Sequence, residues 1–271
     1  MTPDASLETH LAAAAEAIRH AEALLIGAGA GMGVDSGLPD FRGPEGFWKA
    51  YPPFRGKEFA EISNPHWFVT DPALAWGFFG HRLGLYRAAI PHEGFQVLRR
   101  WSGERPAFVF TSNVDGQFQK AGFGETDLLE CHGSIHHLQC LGECGRPIWP
   151  ATDVSVEVDE TTMRALSDLP RCPDCGALAR PNILMFGDGE WDASRSALQE
   201  GRYDEWLDRM RGRRIVAIEL GAGLAIPTVR RQCETYARTL IRINPREPAT
   251  PRGGIPIPLG ALDALRRLDA R

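Results

Sequence analysis

Short apolar runs that end in glycine or a small polar residue recur along this chain, with helical segments between them. "EALLIGAG" around Leu24, "PAFVFTSN" around Val109, "RRIVAIELGAG" around Ile218 and "LIRINP" around Ile241 are rich in Ile, Leu, Val and Phe. Runs so short and so continuously apolar predict strands buried on both faces, as in a parallel sheet covered by helices. Leu7, Leu11, Ala14 and Ile18 recur at helical spacing near the start, and Leu262, Leu265 and Leu268 share one face near the end. The alternation predicts an α/β fold with a doubly wound, Rossmann-like parallel sheet.

Two segments interrupt the pattern. One, from about Pro44 to Ile90, is aromatic and punctuated by proline, with helical pieces around Asn64–Phe68 and Pro72–Ala89; the other carries most of the cysteines. Residues 1–43, 91–136 and 181–271 therefore read as the Rossmann-like domain. Residues 44–90 and 137–180 read as a smaller inserted helical and zinc-binding domain. "LLECHGSIHHLQC" reads as a strand region leading into the cysteines, "RPNILMFGD" as a return to the apolar strand pattern, and "PREPATPRGGIPIP" as a loop before the last helix.

The net charge of -5 speaks against nucleic acid or an anionic membrane as partner. No apolar run approaches the ~18 residues that span a bilayer, and the first twenty residues lack the pattern of a secretory signal. A cytoplasmic setting is expected, where thiols stay reduced and paired cysteines favour metal over disulfide.

Cys140 and Cys144 form one close pair, and Cys172 and Cys175 form another after 27 intervening residues. Four thiolates close a tetrahedron around zinc and leave no position for water, so such a site is structural. Gly145 and Gly176 follow the second cysteine of each pair, where backbone must turn tightly around the metal. The alternative is four unrelated buried cysteines. Cys131 and Cys233 fit small core residues.

The glycines at 27, 29, 31 and 33 follow the first strand, so backbone there approaches something closely, a nucleotide phosphate or simply a tight turn. A helix after the loop would add its positive N-terminal end. Dehydrogenases of this type carry an acidic residue roughly 20 positions on, at the end of the next strand. Here that region, "DFRGPEGFWKAYPP", does not read as a strand, which disfavours hydride transfer.

The stretch "GAGMGVDSGLPDFRG", Gly29 to Gly43, closely resembles the cofactor-binding signature of the sirtuins, which are NAD-dependent protein deacylases. The resemblance continues in order. "TSNVDGQFQKAG" is similar to the family's Gln-Asn-Ile-Asp segment, "ECHGSIHHLQC" to its His-Gly motif, and "RPNILMFGD" to its substrate strand. "GAGLAIP" and "INPRE" are similar to its Gly-Thr-Ser loop and adenosine-contacting turn. The likeness runs from about Leu24 to Glu247. It implies NAD and zinc as cofactors and an acyl-lysine protein or peptide as substrate. The acyl oxygen attacks C1′ of the nicotinamide ribose, nicotinamide leaves, and O-acyl-ADP-ribose forms.

The same resemblance assigns His132 as general base, a role its near-neutral pKa suits. Asn113 is expected to orient the ribose and a water, and Asp115 to help hold nicotinamide. Gly29, Ala30, Gly31, Ser112, Gly221, Ala222 and Gly223 would line the cofactor site. Asp40 would meet the carboxamide, Phe41 would shield the reacting carbon, and Arg42 would face phosphate. Asn244 would reach the adenosine ribose, and Ile183, Leu184, Met185 and Phe186 would offer backbone to the peptide. Local alternatives stand beside these roles: turn capping for Asn113, Asp115 and Asn244, and a plain core strand for Ile183 to Phe186.

Departures from the family pattern are specific. Gly33 stands where serine is usual, Ser112 replaces glutamine beside Asn113, and Ala222 and Gly223 replace a Thr-Ser pair. They leave room for a mono-ADP-ribosyltransferase or an NAD hydrolase, or for a non-catalytic module that binds NAD or acyl-lysine. Phe79 and Arg82 occupy the places of a Tyr-x-x-Arg pair that marks a branch favouring succinyl- and malonyl-lysine.

Overall fold

The computed structural model describes residues 3–40, 47, 49–142 and 144–271. Strand β1 (Ala23–Ala28) is buried along its whole length. Leu24, Ile26 and Ala28 face one helical layer, while Ala23 and Leu25 face the other. That two-residue alternation is what a strand covered on both sides requires. β2 (Ala107–Thr111) and β3 (Leu128–Glu130) extend the sheet on one side of β1. β9 (Ile215–Leu220), β10 (Thr239–Ile243) and β11 (Ile255–Ile257) extend it on the other.

Every pairing in this six-stranded sheet is parallel, in the order β11-β10-β9-β1-β2-β3. Numbered within the sheet, this is the doubly wound 3-2-1-4-5-6 arrangement. Its connections diverge between β1 and β9, and a crevice opens there at the strands' C-terminal ends. Helices α1 (Pro3–Arg19), α3 (Glu93–Gly103) and α6 (Ala261–Asp269) cover one face, packing Leu11, Leu98 and Leu265 against Ile26 and Ile218. Helices α4 (Ser194–Arg209) and α5 (Thr228–Tyr236) cover the other, with Trp206 and Cys233 against Leu25 and Phe108.

A second core lies beside this body. Helix α2 (Pro72–Ala88) starts behind Asp71, whose carboxylate accepts from the Leu74 amide at 3.2 Å, with proline at the first helical position. The same carboxylate accepts two bonds from Arg164, at 2.7 and 2.8 Å, tying the helix start to the hairpin of β6 (Val158–Asp159) and β7 (Arg164–Ala165). Phe68, Trp76, Phe78 and Phe79 pack against Ile135, Leu138, Ile183 and Met185. Those partners belong to, or directly follow, an antiparallel sheet of order β5-β4-β8, made of β4 (Gly133–Cys140), β5 (Trp149–Pro150) and β8 (Ala179–Ile183). Trp76 Nε1 donates to the Ala179 carbonyl at 2.9 Å, anchoring α2 on β8.

The structure differs from the sequence reading in three places. "LLECHGSIHHLQC" is two strands, not one region: β3 ends the parallel sheet, and after Cys131 and His132 the chain enters the antiparallel one. "RPNILMFGD" joins that smaller sheet as well. Its fully buried Arg180 and Asn182 find their partners there, Asp188 for the first and Gln139 and the Asp192 carbonyl for the second. The supposed loop "PREPATPRGGIPIP" contains β11, an edge strand that tolerates Pro256 because one side of an edge needs no N–H donor. No helix among the described residues is long and apolar enough to cross a membrane.

Candidate functional site

The crevice between β1 and β9 is built by two loops in backbone contact. The Gly29 amide donates to the Leu220 carbonyl at 2.9 Å and the Gly31 amide to the Gly221 carbonyl at 3.1 Å. A Cβ on Gly29 would stand 2.7 Å from Ala222 Cα, and one on Gly31 would stand 2.7 Å from Gly221 Cα. Gly221 itself has φ +61 and lies as close to Gly31. The glycines thus serve loop-on-loop packing, and the amides of Gly29 and Gly31 already have acceptors. Those of Ala222, Gly223 and Leu224 have none among the described residues. In place of the helix expected after the glycine loop there are two short 3₁₀ turns, Ala30–Met32 and Val34–Ser36, each too brief to build a macrodipole. Gly31→Ala is expected to cost about 1–3 kcal/mol by overpacking against backbone. A lower melting temperature in calorimetry checks this.

From β2 the chain delivers Ser112, Asn113 and Asp115 to the same end. Asn113 is half-buried, and its Nδ2 donates to the Gly29 carbonyl at 3.0 Å while its amide donates to Thr111 Oγ1 at 3.0 Å. Asp115 is buried, and burial pushes its carboxyl up to about 6. The Gln117 amide, 2.9 Å away, opposes that shift; the Glu130 charge adds to it. His136 Nε2 lies 2.9 Å from the Asp115 carbonyl oxygen and donates to it.

His132 stands between β3 and β4, half-buried. Burial holds its imidazole below the ordinary histidine value, partly offset by a hydrogen bond to the Ser112 backbone. The ring is therefore neutral at neutral pH and able to accept a proton. The His132 carbonyl accepts from the Leu184 amide at 3.0 Å, so the segment after β8 runs alongside the histidine. In that segment Ile183 and Met185 point into the core, while Leu184 and Phe186 are each 37% exposed. The Phe186 amide donates to Ser63 and the Met185 amide to Asp188, so the segment is held from behind.

Asp40 forms an ion pair with Arg246, joining the first loop to the turn after β10. Asn244 is fully buried. Its Nδ2 donates to the Ala222 carbonyl at 3.0 Å, and its Oδ1 accepts from the Arg246 and Glu247 amides, both at 3.0 Å. These are the bonds of a turn-building residue. Phe41 and Arg42 lie outside the described residues. Arg82, on α2, is buried with its guanidinium 5.2–5.7 Å from the rings of Phe59, Phe78, Phe79 and Tyr86. Its Nε and Nη2 donate to the Tyr86 hydroxyl.

The four cysteines converge at the far end of the small sheet. Sγ of Cys140 is 3.5 Å from that of Cys175, and Sγ of Cys144 is 3.6 Å from those of Cys140 and Cys172. A tetrahedron of sulfurs at ~2.3 Å from zinc has edges of about 3.8 Å, so this donor set fits a zinc ion. Gly145 and Gly176 both adopt positive φ, as the turns around a metal need. Cys233 is fully buried in the core; Cys131 is partly buried against the same cluster, and burial pushes its thiol up to about 12.

Residues 29–205 match the model of the Sir2 family. An NAD-dependent protein deacylase of Aquifex aeolicus is 34% identical over 161 residues, covering 59% of each chain. One of Methylococcus capsulatus is 31% identical over 189 residues, covering 68% of this chain and 69% of the relative. The mitochondrial NAD-dependent protein deacylase sirtuin-5 of Danio rerio is 30% identical over 195 residues, covering 66% and 61%. The match thus spans about three fifths to two thirds of these relatives' length. A Sir2 homologue solved with NAD has the same fold, with a TM-score of 0.71 and 22% identity over 96% of this chain and 92% of that one.

Proposed function

The chain belongs to the Sir2 family, and from that premise we propose that it is an NAD-dependent protein-lysine deacylase. The observation that carries this reading is the position of His132. A neutral imidazole sits against the Ser112 backbone, between the glycine-lined crevice and the exposed Leu184 and Phe186. The relatives' names, as deacylases that depend on NAD, support it.

NAD, when bound, supplies a ribose carbon from which nicotinamide can leave. The crevice suits it: glycines bring two loops together where a Cβ would collide, and three amides of the 222–224 loop have no acceptor among the described residues. Asn113, fixed on the Gly29 carbonyl, orients the ribose. The buried Asp115 lines the nicotinamide pocket, Asp40 lies at the edge of the crevice, and Asn244 shapes the adenosine turn. His132 takes the proton of a ribose hydroxyl once an acyl-lysine lies along Leu184 and Phe186. The aromatic enclosure of Arg82 and its bonds to Tyr86 support a neutral acyl group over an acidic one. The free cysteines support a reducing, cytoplasmic setting.

The test is nicotinamide release from NAD with and without an acetyl-lysine peptide, with products identified by mass. Peptide-dependent release with O-acetyl-ADP-ribose is expected, and a succinyl-lysine peptide should react more slowly. Free ADP-ribose without peptide would make the chain an NAD hydrolase. A mass gain on protein would make it a mono-ADP-ribosyltransferase, and NAD binding without turnover a binding module.

A further inference from the structure

We propose that Arg230 is a positioning residue for the diphosphate of NAD, orienting the 221–224 loop so that backbone amides take the place of the missing hydroxyls. The inference rests on the NAD-binding reading above. Ala222 and Gly223 offer no side-chain donor, so any hydrogen bond this loop gives a phosphate comes from backbone N–H groups. Those groups help only if the loop holds one conformation.

One carbonyl controls that conformation. The Ala222 oxygen accepts from Arg230 Nε at 3.1 Å, from Arg230 Nη2 at 2.9 Å and from Asn244 Nδ2 at 3.0 Å. In a trans peptide the next N–H points opposite to the carbonyl. Holding the Ala222 oxygen toward α5 and β10 therefore turns the Gly223 N–H to the other side of the loop. The Gly223 amide, like its neighbours at 222 and 224, has no acceptor among the described residues.

The same guanidinium reaches a second loop. Arg230 Nη2 donates to the Glu247 carbonyl at 2.8 Å, with the Glu247 carboxylate 3.5 Å away. One side chain thus joins the loop after β9 to the turn after β10, the two segments that flank the crevice on that side. Arg230 is 5% exposed, and its charge is balanced by the fully buried Glu219 at 3.9 Å. Glu219 in turn holds Arg242 at 2.6 Å, and Arg242 reaches Glu234 at 2.6 Å. A planar fork with several donors serves this geometry; a single ammonium does not.

Arg230→Met keeps an unbranched apolar stem in the site and removes every donor. In the full-length protein we expect it to raise the KM for NAD and the Kd for ADP-ribose by about ten- to a hundredfold, the scale of a small misplacement of a binding loop. Turnover at saturation and inhibition by free nicotinamide, which has no diphosphate, should stay within about threefold, the pattern of lost uniform binding. Arg230→Lys should fall between. Unchanged KM and Kd in Arg230→Met would overturn the proposal, as would a fall in kcat at unchanged KM. If circular dichroism shows that Arg230→Met does not fold, Arg230→Lys decides: a raised KM supports the role and an unchanged KM refutes it. Wild-type protein that binds neither NAD nor ADP-ribose would overturn the NAD reading and this inference together. Wild-type binding with indifferent variants would strike only Arg230.

Discussion

His132→Ala is expected to abolish peptide deacylation, with turnover lowered by about 10²–10⁴-fold, while ADP-ribose still binds. The expectation follows from how the ring is held. Its backbone is tied to Leu184, and burial keeps its imidazole neutral despite the opposing hydrogen bond to the Ser112 backbone. Alanine retains the backbone bond and the bonds between the two crevice loops and loses only the ring's bond to the Ser112 backbone, so binding and chemistry should separate. Calorimetric titration with ADP-ribose beside the peptide assay measures both, and near-normal deacylation would refute the assignment. The acid side of the pH profile carries the same signature. Reaction needs His132 without its proton, and the protonation of Asp115 sets the charge of the nicotinamide pocket. Asp115 gains a proton as pH falls through about 6, and His132 gains one at a pH below its ordinary value. The rate should therefore hold near neutrality and fall with acid. A profile that rises below pH 6 would exclude His132 as the base.

Replacing Cys172 and Cys175 with serine is expected to release one equivalent of zinc and unfold the antiparallel sheet. Structural zinc in small modules contributes an apparent ~10–16 kcal/mol of binding, which is folding energy for whatever the metal closes. Here β4 ends at Cys140, and β8 begins four residues beyond Cys175. The metal would hold the two strands together at the end far from His132. Loss of that clasp should reach the candidate site through the Leu184–His132 bond, so activity should fall with the metal. Metal analysis and hydrogen exchange of residues 133–140 and 179–183 check it. Retained zinc with protected strands would refute the ligand set.

Legibility varied with how local the physical cause was. The strands of the parallel sheet could be read because burial on both faces leaves a continuous apolar run, as in "LLIGA" and "IVAIEL". The cysteine quartet could be read because metal-binding pairs are close in sequence. β8 could be recognised as a strand but not assigned to its sheet, because its partners Gln139 and Asp192 are known only once the chain is folded. β11 was hidden by its proline, whose tolerance depends on lying at an edge. Arg230 and Arg246 carried no signal, because their partners are backbone carbonyls and a carboxylate 206 residues away.

The sequence by itself determined the alternation of strand and helix, the four thiolates and the residues at the strands' C-terminal ends, since each follows from side-chain chemistry or short-range spacing. Only the tertiary structure decided that the loop glycines pack against another loop, that Asn244 is engaged in its own turn, and that the buried Arg230 bonds both the loop after β9 and the turn after β10. Those are matters of which backbone groups remain unpaired after folding, and a list of side chains cannot show that.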